Sequence, residues 1–145
     1  NATVEEVGTE EMAQIQEEAI TSSNSYKRQQ VVDYALQFVG GRYRYGGSDP
    51  HSGVDCSGFT RYVLQNAAGV GMSRSSGSQA AQGVAISADQ MQPGDLLFYG
   101  SGSRINHVAM YIGEGKIVHA STERTGITIS PWNYRTPVKI TSVLG

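Results

Sequence analysis

The hydrophobic residues of this chain follow a helical spacing before about residue 70 and an alternating spacing after about residue 93. The first helical stretch begins near Tyr26, and its apolar residues lie three or four positions apart: Val31, Ala35, Phe38 and Val39. Gly40-Gly41 ends this helix, because glycine readily adopts the backbone conformation that closes helices. A second helix is predicted from about Cys56 to Gly69, with these residues on its buried side: Phe59, Tyr62, Val63 and Ala67.

From Pro93 onward, short apolar runs alternate with turn residues such as Gly113-Glu114-Gly115, a pattern typical of antiparallel strands. The predicted strands are Asp95–Tyr99, His107–Ile112, Lys116–Ala120, Ile127–Ser130 and Val138–Val143. Helices followed by strands predict an α+β fold, in which N-terminal helices pack on a central antiparallel sheet. Residues 73–83 have little periodicity, and we expect this Ser/Gly-rich loop to present Arg74 to a substrate.

Residues 1–25 differ in charge from the rest of the chain. They hold six glutamates and no base, which leaves seven acids against eleven Lys and Arg in residues 26–145. We interpret residues 1–25 as an acidic leader with a short helix from Thr9 and a polar linker, Thr21–Ser25, and residues 26–145 as the functional domain. The sequence starts at Asn1 without an initiator methionine or a signal-peptide pattern, so we expect it to begin after processing or at a cut.

The composition excludes several classes of protein. With 39% hydrophobic and 17% charged residues among 145, the chain has the composition of a globular domain. Its bases are scattered, so we expect no nucleic-acid partner, and no apolar run reaches the roughly 18 residues of a membrane span, so we expect no membrane insertion. The mildly basic domain suits work beside a polyanion, and we expect it to act as a monomer.

Cys56 is the only cysteine, which excludes an internal disulfide framework and is too few for a Cys-based zinc site. We therefore expect neither a metal nor another cofactor. A lone cysteine is often a small buried hydrophobe. At the start of a helix, however, the helix dipole stabilises a thiolate, and a nearby histidine would complete a nucleophile–base pair.

Two of the three histidines lie in predicted strands joined by a turn. His107 and His119 are 12 residues apart, and a turn near residue 113 or 114 brings them close to opposite each other, within roughly 5 Å. A single histidine in a strand is often structural, but this pair can act as a base and its orienter. Tyr43 lies in the loop before Cys56, where its hydroxyl could donate to an oxyanion or simply pack. We expect His51 to be exposed.

Four blocks, taken in order, resemble the NlpC/p-sixty family of papain-like cell-wall cysteine peptidases over about residues 26–143. They are Tyr43-Arg44-Tyr45-Gly46-Gly47 with Asp55-Cys56-Ser57-Gly58-Phe59, then Pro93-Gly94-Asp95-Leu96-Leu97-Phe98, then His107-Val108-Ala109-Met110-Tyr111-Ile112-Gly113, then Val118-His119-Ala120. The resemblance implies a papain-like fold, a secreted or wall-associated bacterial protein and a peptidoglycan stem peptide as substrate.

The resemblance also implies roles for individual residues. The catalytic group is Cys56, His107 and His119, with Tyr43 beside the nucleophile. The implied substrate-binding residues are Asp55, Ser57, Arg74 and Ser75, although Ser73 stands where the family usually has a proline.

The implied reaction is cleavage of the bond between the γ-carboxyl of D-glutamate and the diamino acid of the stem peptide, through a thioester. Three alternatives stay open: an amidase that cuts between muramic acid and L-alanine, a catalytically silent wall-binding module, and an acyltransferase or lipid-processing relative. The polar loop at residues 73–83 argues against the last, since an acyl chain needs an apolar groove.

Overall fold

A computed structural model describes residues 24–145 of the protein. The described part of helix α1 covers residues 24–36, and it is followed by α2 (Cys56–Ala68), the short α3 (Ser76–Gln79) and a 3₁₀ turn (Ala88–Gln90). The strands are β1 (Ser48–Asp49), β2 (Gly53–Val54), β3 (Val84–Ala85), β4 (Leu96–Ser101), β5 (Arg104–Gly113), β6 (Lys116–Thr122), β7 (Gly126–Pro131) and β8 (Lys139–Ser142).

Most of the predicted leader, including the helix from Thr9, lies outside the described residues. The linker prediction is wrong for Asn24 and Ser25, which belong to α1. Asn24 is held in place by the far end of the domain, because its side-chain amide donates to the Gly145 carbonyl oxygen at 3.0 Å. A local polar run could not reveal a contact with a residue 121 positions away.

The principal sheet is antiparallel and has six strands in the order β3-β8-β4-β5-β6-β7. Its five longer strands overlap the five predicted ones within a few residues at each end. The sequence analysis missed the short elements β1, β2, β3 and α3, because two to four residues carry too little periodicity to stand out. Helices α1 and α2 and the sheet confirm the α+β prediction.

The two faces of the sheet are covered differently. One face carries Leu96, Phe98 and Met110, which pack with Val31 of α1 and Phe59 of α2 in the main core. The opposite face has a smaller buried cluster: Leu97, Tyr99, Ala109, Ile117 and Ile140. Partly buried side chains such as Trp132 pack against this second cluster, so here a loop after β7 partly covers the sheet.

Strands β5 and β6 are paired only near their connecting turn. The ladder contains Gly113↔Lys116, Tyr111↔Ile117 and Met110↔Val118, and it ends there. Beyond that point β6 pairs with β7 alone. His107 and His119 therefore lie just past the end of the β5–β6 ladder, where the two strands are no longer joined by backbone hydrogen bonds.

Candidate active site

Cys56 is the first residue of α2, and Asp55 caps that helix. The Asp55 carboxylate accepts a hydrogen bond from the Gly58 backbone N–H at 2.8 Å, which satisfies one of the unpaired donors of the first turn. The thiol is half-buried and free. A capped helix start thus holds the nucleophile at a fixed place.

The electrostatic surroundings of the thiol differ from the sequence expectation. Burial is the largest influence and raises the pKa of Cys56, and the neighbouring Asp55 charge raises it further. The backbone N–H groups of Val108, Ser57 and Cys56 act against this and lower it, but less strongly. The helix-start N–H groups thus act in the predicted direction, but burial outweighs them and the net pKa of Cys56 is raised.

The Val108 N–H also shows where the thiol lies. Val108 follows His107 along β5, so its hydrogen bond to the sulfur places Cys56 against the β5 backbone next to His107. At this point β5 still pairs with β4 but no longer pairs with β6, so the edge of β5 that faces β6 is open.

The two strand histidines meet as predicted. His107 Nε2 lies 2.7 Å from His119 Nδ1, and both rings are buried. The register Met110↔Val118, continued by one residue, pairs His119 with Ala109, so the histidines are diagonal neighbours and not directly opposite each other. Their ring centres are 5.0 Å apart.

Ser130 extends this pair into a chain of three side chains. Its Oγ lies 2.9 Å from His119 Nε2, and it is brought there by the pairing of β6 with β7. The sequence analysis placed Ser130 at the end of a strand but assigned it no role. Ser130 lies two residues after Thr128, which pairs with His119, so Ser130 and Thr128 lie on the same face of β7. This spacing was the signal that could have identified Ser130.

Burial also sets the charge of the histidines. It lowers the pKa of His107 to about 3, helped by the charges of His119 and Arg135, and it lowers the pKa of His119 to about 4. Both rings are therefore neutral at neutral pH. A neutral imidazole is the form that can accept a proton from the thiol.

Tyr43 is half-buried, and an isolated bridge to Val54 holds its backbone next to β2. Burial raises the pKa of Tyr43, and repulsion from an ionised Cys56 and from Asp55 raises it further. The phenol consequently keeps its proton and remains a hydrogen-bond donor in the neighbourhood of the nucleophile.

Arg74 contacts the cap of α2. Its Nη1 and Nη2 donate to the two Asp55 carboxylate oxygens at 3.0 and 2.9 Å, in a bidentate pair. The same guanidinium donates to Ser57 Oγ at 2.9 Å and to the Gly47 carbonyl oxygen at 3.1 Å. Four bonds to the protein engage the group that was expected to face the substrate, and its role as a substrate contact stays a prediction.

The other predicted binding residues lie around this network. Ser57 is buried and Asp55 is half-buried, and Asp55 also accepts from the Gly46 N–H at 3.1 Å. Ser75 is exposed and caps α3, where its Oγ accepts from the Ser78 N–H at 3.2 Å. Their contact with a substrate likewise stays a prediction.

Gln79 is a site-supporting residue that the sequence analysis missed. Its fully buried amide donates to the carbonyl oxygens of Ser57 and Ser73 at 2.9 and 2.8 Å and accepts from Thr60 Oγ1 at 2.7 Å. These bonds fasten the Arg74 loop to the first turn of α2. A glutamine within a Ser/Gly-rich run carries no sequence pattern that marks this role.

The structure also bears on the predictions for metal binding, membrane insertion and His51. Within residues 24–145 there is no cluster of three or more His, Cys, Asp or Glu that could hold a metal ion. No helix in the same range is long and apolar enough to cross a membrane. His51 is exposed, as predicted, with its Nδ1 2.8 Å from the Asp49 carboxylate.

Comparison with known proteins identifies relatives. The chain is 41% identical over 90 residues to the probable endopeptidase p60 of Listeria monocytogenes, covering 62% of this chain and 18% of that protein. It is 37% identical over 106 residues to the murein DD-endopeptidase MepS/murein LD-carboxypeptidase of Escherichia coli K12, covering 73% and 55%. The chain therefore spans well under two thirds of these curated relatives.

A solved structure and a family model both match most of the described domain. The crystal structure of the NlpC/p60 domain of the peptidoglycan hydrolase SagA aligns with a TM-score of 0.73 and 36% identity, over 79% of this chain and 97% of that one. The NlpC/P60 family model matches residues 40–142, which include Cys56, both paired histidines and Ser130. A match over this much of the chain means that the protein belongs to the NlpC/P60 family.

Proposed function

We propose that the protein is a cysteine endopeptidase that hydrolyses peptidoglycan stem peptides. The observation that carries the proposal is the chain His107–His119–Ser130 together with Cys56, whose sulfur lies at the backbone N–H of Val108, the residue that follows His107. A nucleophile beside a base, with the base oriented by further polar groups, is the arrangement of covalent acyl transfer. The names of the relatives support the hydrolase class and the substrate.

The hydrogen bonds are consistent with one direction of proton flow. If His107 accepts the thiol proton at Nδ1, its Nε2 carries a hydrogen and donates to His119 Nδ1. His119 then carries its own hydrogen on Nε2 and donates to Ser130 Oγ. Each ring thus has a single consistent tautomer, and His119 holds the His107 ring in its orientation.

The Cys56 thiol and the His107 imidazole are both neutral before substrate binds, so the thiol proton moves to His107 during the attack. His107 takes the thiol proton as the sulfur attacks the amide carbonyl, and the nascent thiolate stabilises the imidazolium. His107 then passes the proton to the leaving amine, and water hydrolyses the thioester with His107 as base. The low pKa of His107 favours rapid return of the proton.

The oxyanion of the tetrahedral intermediate would accept from two donors, the Cys56 backbone N–H and the Tyr43 hydroxyl. The first is an unpaired donor of the first turn of α2, and the second keeps its proton because its pKa is raised. Each good donor in such sites stabilises the transition state by roughly 3 kcal/mol.

The bond that we propose is the one between the D-glutamate γ-carboxyl and the diamino acid, whether lysine or diaminopimelate. One relative's name includes DD-endopeptidase and LD-carboxypeptidase activities, so the bond must be determined directly. The amidase alternative would cut between muramic acid and L-alanine, and the silent wall-binding alternative would cut nothing. We further propose that the protein acts as a monomer, outside the cell or at the wall, and without a cofactor.

Mass spectrometry of defined muropeptides separates these possibilities. We expect the protein to release a fragment that begins with the diamino acid, and Cys56→Ala to release none while keeping a normal thermal unfolding curve. Ser52→Ala, an exposed change in the loop before Cys56, serves as the matched control and should behave like the parent. Cleavage by a folded Cys56→Ala protein would refute Cys56 as the nucleophile. Release of peptides that begin with L-alanine would support the amidase alternative instead.

A further inference from the structure

The loop after β7 brings a tyrosine and an arginine to the histidine side of the site. The Tyr134 ring centre lies 5.3 Å from that of His119 and 5.3 Å from that of Tyr99. The Arg135 guanidinium carbon lies 5.6 Å from the centre of the Tyr99 ring, which is itself 5.9 Å from the His107 ring. Arg135 is therefore one side chain away from the proposed base.

The charge of Arg135 is not neutralised by a carboxylate in the described part of the chain. Arg28 and Arg74 each lie within 3 Å of an aspartate, whereas among residues 24–145 no carboxylate is within ion-pair distance of Arg135. Its Nη2 donates to the neutral Asn106 amide oxygen at 3.2 Å, and the neighbouring Tyr134 hydroxyl is a second neutral partner. A half-buried cation with a neutral partner can still bind an anion from outside.

The field of Arg135 reaches the reacting groups. Its positive charge contributes to the lowered pKa of His107 and acts to lower that of Tyr134. The Tyr134 hydroxyl is in turn influenced by the charge of Cys56. The guanidinium, the phenol and the thiol are thus near enough for their charges to interact, although they come from the β7–β8 loop and from α2.

The chemistry of the reaction determines which part of a substrate enters this space. A general acid must lie within hydrogen-bond reach of the leaving nitrogen, so the leaving amine sits beside His107. Groups attached to the leaving residue are consequently the ones that come near Arg135. An Arg fork binds a carboxylate with two parallel hydrogen bonds.

We propose that Arg135 binds a carboxylate of the leaving-group residue and so selects peptides that carry one there, with Tyr134 as the aromatic wall of the subsite. The inference rests on the proposed function. A diamino acid can offer this carboxylate from two places: its main-chain carboxyl when it ends the peptide, or a carboxyl at the far end of its side chain.

Three peptides with the same acyl part distinguish these sources. The first ends in lysine and has only a main-chain carboxylate, the second ends in lysine amide and has none, and the third ends in diaminopimelate amidated at the main-chain carboxyl. We expect kcat/KM to be about tenfold to a hundredfold higher for at least one carboxylate-bearing peptide than for lysine amide, mostly through KM.

Substitutions of Arg135 test whether this residue causes the preference for carboxylate-bearing peptides. Arg135→Gln should bring the peptides to within about twofold of one another, and Arg135→Lys should retain part of the preference, since an ammonium keeps the charge without the fork. Arg61→Gln, an exposed arginine on α2, is the matched control and should keep the full preference. Equal rates for all three peptides in the parent, or a preference that survives Arg135→Gln, would overturn the inference.

Binding measurements distinguish a failure of the Arg135 proposal from a failure of the proposed function. The same peptides are titrated by calorimetry into the Cys56→Ala protein and into Cys56→Ala with Arg135→Gln. If no peptide is cleaved by the parent, the endopeptidase proposal fails, and a carboxylate preference in binding that Arg135→Gln removes would still support the subsite. Equal binding of the acid and amide peptides would refute it.

Discussion

The two halves of the candidate site are held in place by different means. The nucleophile side, which comprises Asp55, Ser57, Arg74 and Gln79 around Cys56, is joined by side-chain hydrogen bonds between segments that are far apart in the chain. The histidine side, which comprises His107, His119 and Ser130, is held by strand pairing and, among residues 24–145, by two side-chain bonds.

This difference explains how each half reaches its geometry. The backbone ladder fixes β6 against β7, so Ser130 reaches His119 once the strands are in register. No ladder fixes the Arg74 loop, and the guanidinium and the Gln79 amide supply bonds to backbone carbonyls instead. We therefore expect the nucleophile side to be sensitive to packing and the histidine side to be sensitive to protonation.

Acid should have the largest effect, and it acts on the histidine side. The unfolded chain binds protons at histidine near pH 6.5, whereas the folded protein does so only near 3 at His107 and near 4 at His119. Between these values the unfolded state holds more protons, so the free energy of unfolding falls as pH falls. Full stability from these groups is present above pH 6.5, and the slope below it is at most about 1.4 kcal/mol per pH unit for each histidine.

Urea denaturation between pH 7 and pH 4 measures this slope. The double variant His107→Gln, His119→Gln should lose most of it, while His51→Gln at the exposed histidine should keep it. An unchanged slope in the double variant would mean that other groups cause the acid sensitivity.

A methyl group at Gly58 should break the nucleophile side. A Cβ there would overlap the Gly47 carbonyl oxygen, the same oxygen that accepts from Arg74 Nη2 and from the Asp55 N–H. Forcing that carbonyl away costs about 1–3 kcal/mol of unfolding free energy and displaces the cap of α2. Thermal denaturation of Gly58→Ala, together with its rate on a muropeptide, checks both effects.

Gly77→Ala is the matched control, because a Cβ on this α3 glycine meets nothing within 4 Å. It should leave both stability and rate close to those of the parent. Equal stability of the two glycine variants would show that the approach of α2 to the Gly47 carbonyl is not constraining.

Removal of the Ser130 hydroxyl should have the smallest effect. Ser130→Ala takes away the partner of His119 Nε2, a bond worth about 0.5–1.5 kcal/mol, so kcat should fall about three- to tenfold. The KM should stay within twofold, since Ser130 orients the histidines and does not touch the substrate. Ser130→Thr should restore part of the rate, and a KM effect without a kcat effect would contradict the positioning role.

Much of the fold and half of the site could be predicted from local pattern. The helices containing Val31 and Phe59 and the five longer strands all carry a clear period, and period reports which face is buried. The histidine pair could be predicted because the turn at Gly113–Gly115 joins the two strands. The position of the turn determines which residues of the two strands lie near each other. The exact register of the two strands could not be predicted, since a bulge between Tyr111 and Gly113 changes which residues pair.

The networks around these residues could not be predicted in the same way. Arg74 and Asp55 are 19 residues apart, and nothing in either neighbourhood shows that a guanidinium faces a helix cap. Arg135 is further still from His107, and it arrives there only because the β7–β8 loop folds back over Tyr99.

The sequence by itself determined the elements, the candidate nucleophile, the histidine pair and the family resemblance, because each depends on residues that are close together along the chain. Only the tertiary structure decided that the thiol and the imidazoles are neutral, since burial is a property of everything packed around them. It also decided that Arg74 pairs with Asp55 while Arg135 lies over the Tyr99 ring. Charge and direction depend on neighbours that folding brings together from distant parts of the chain.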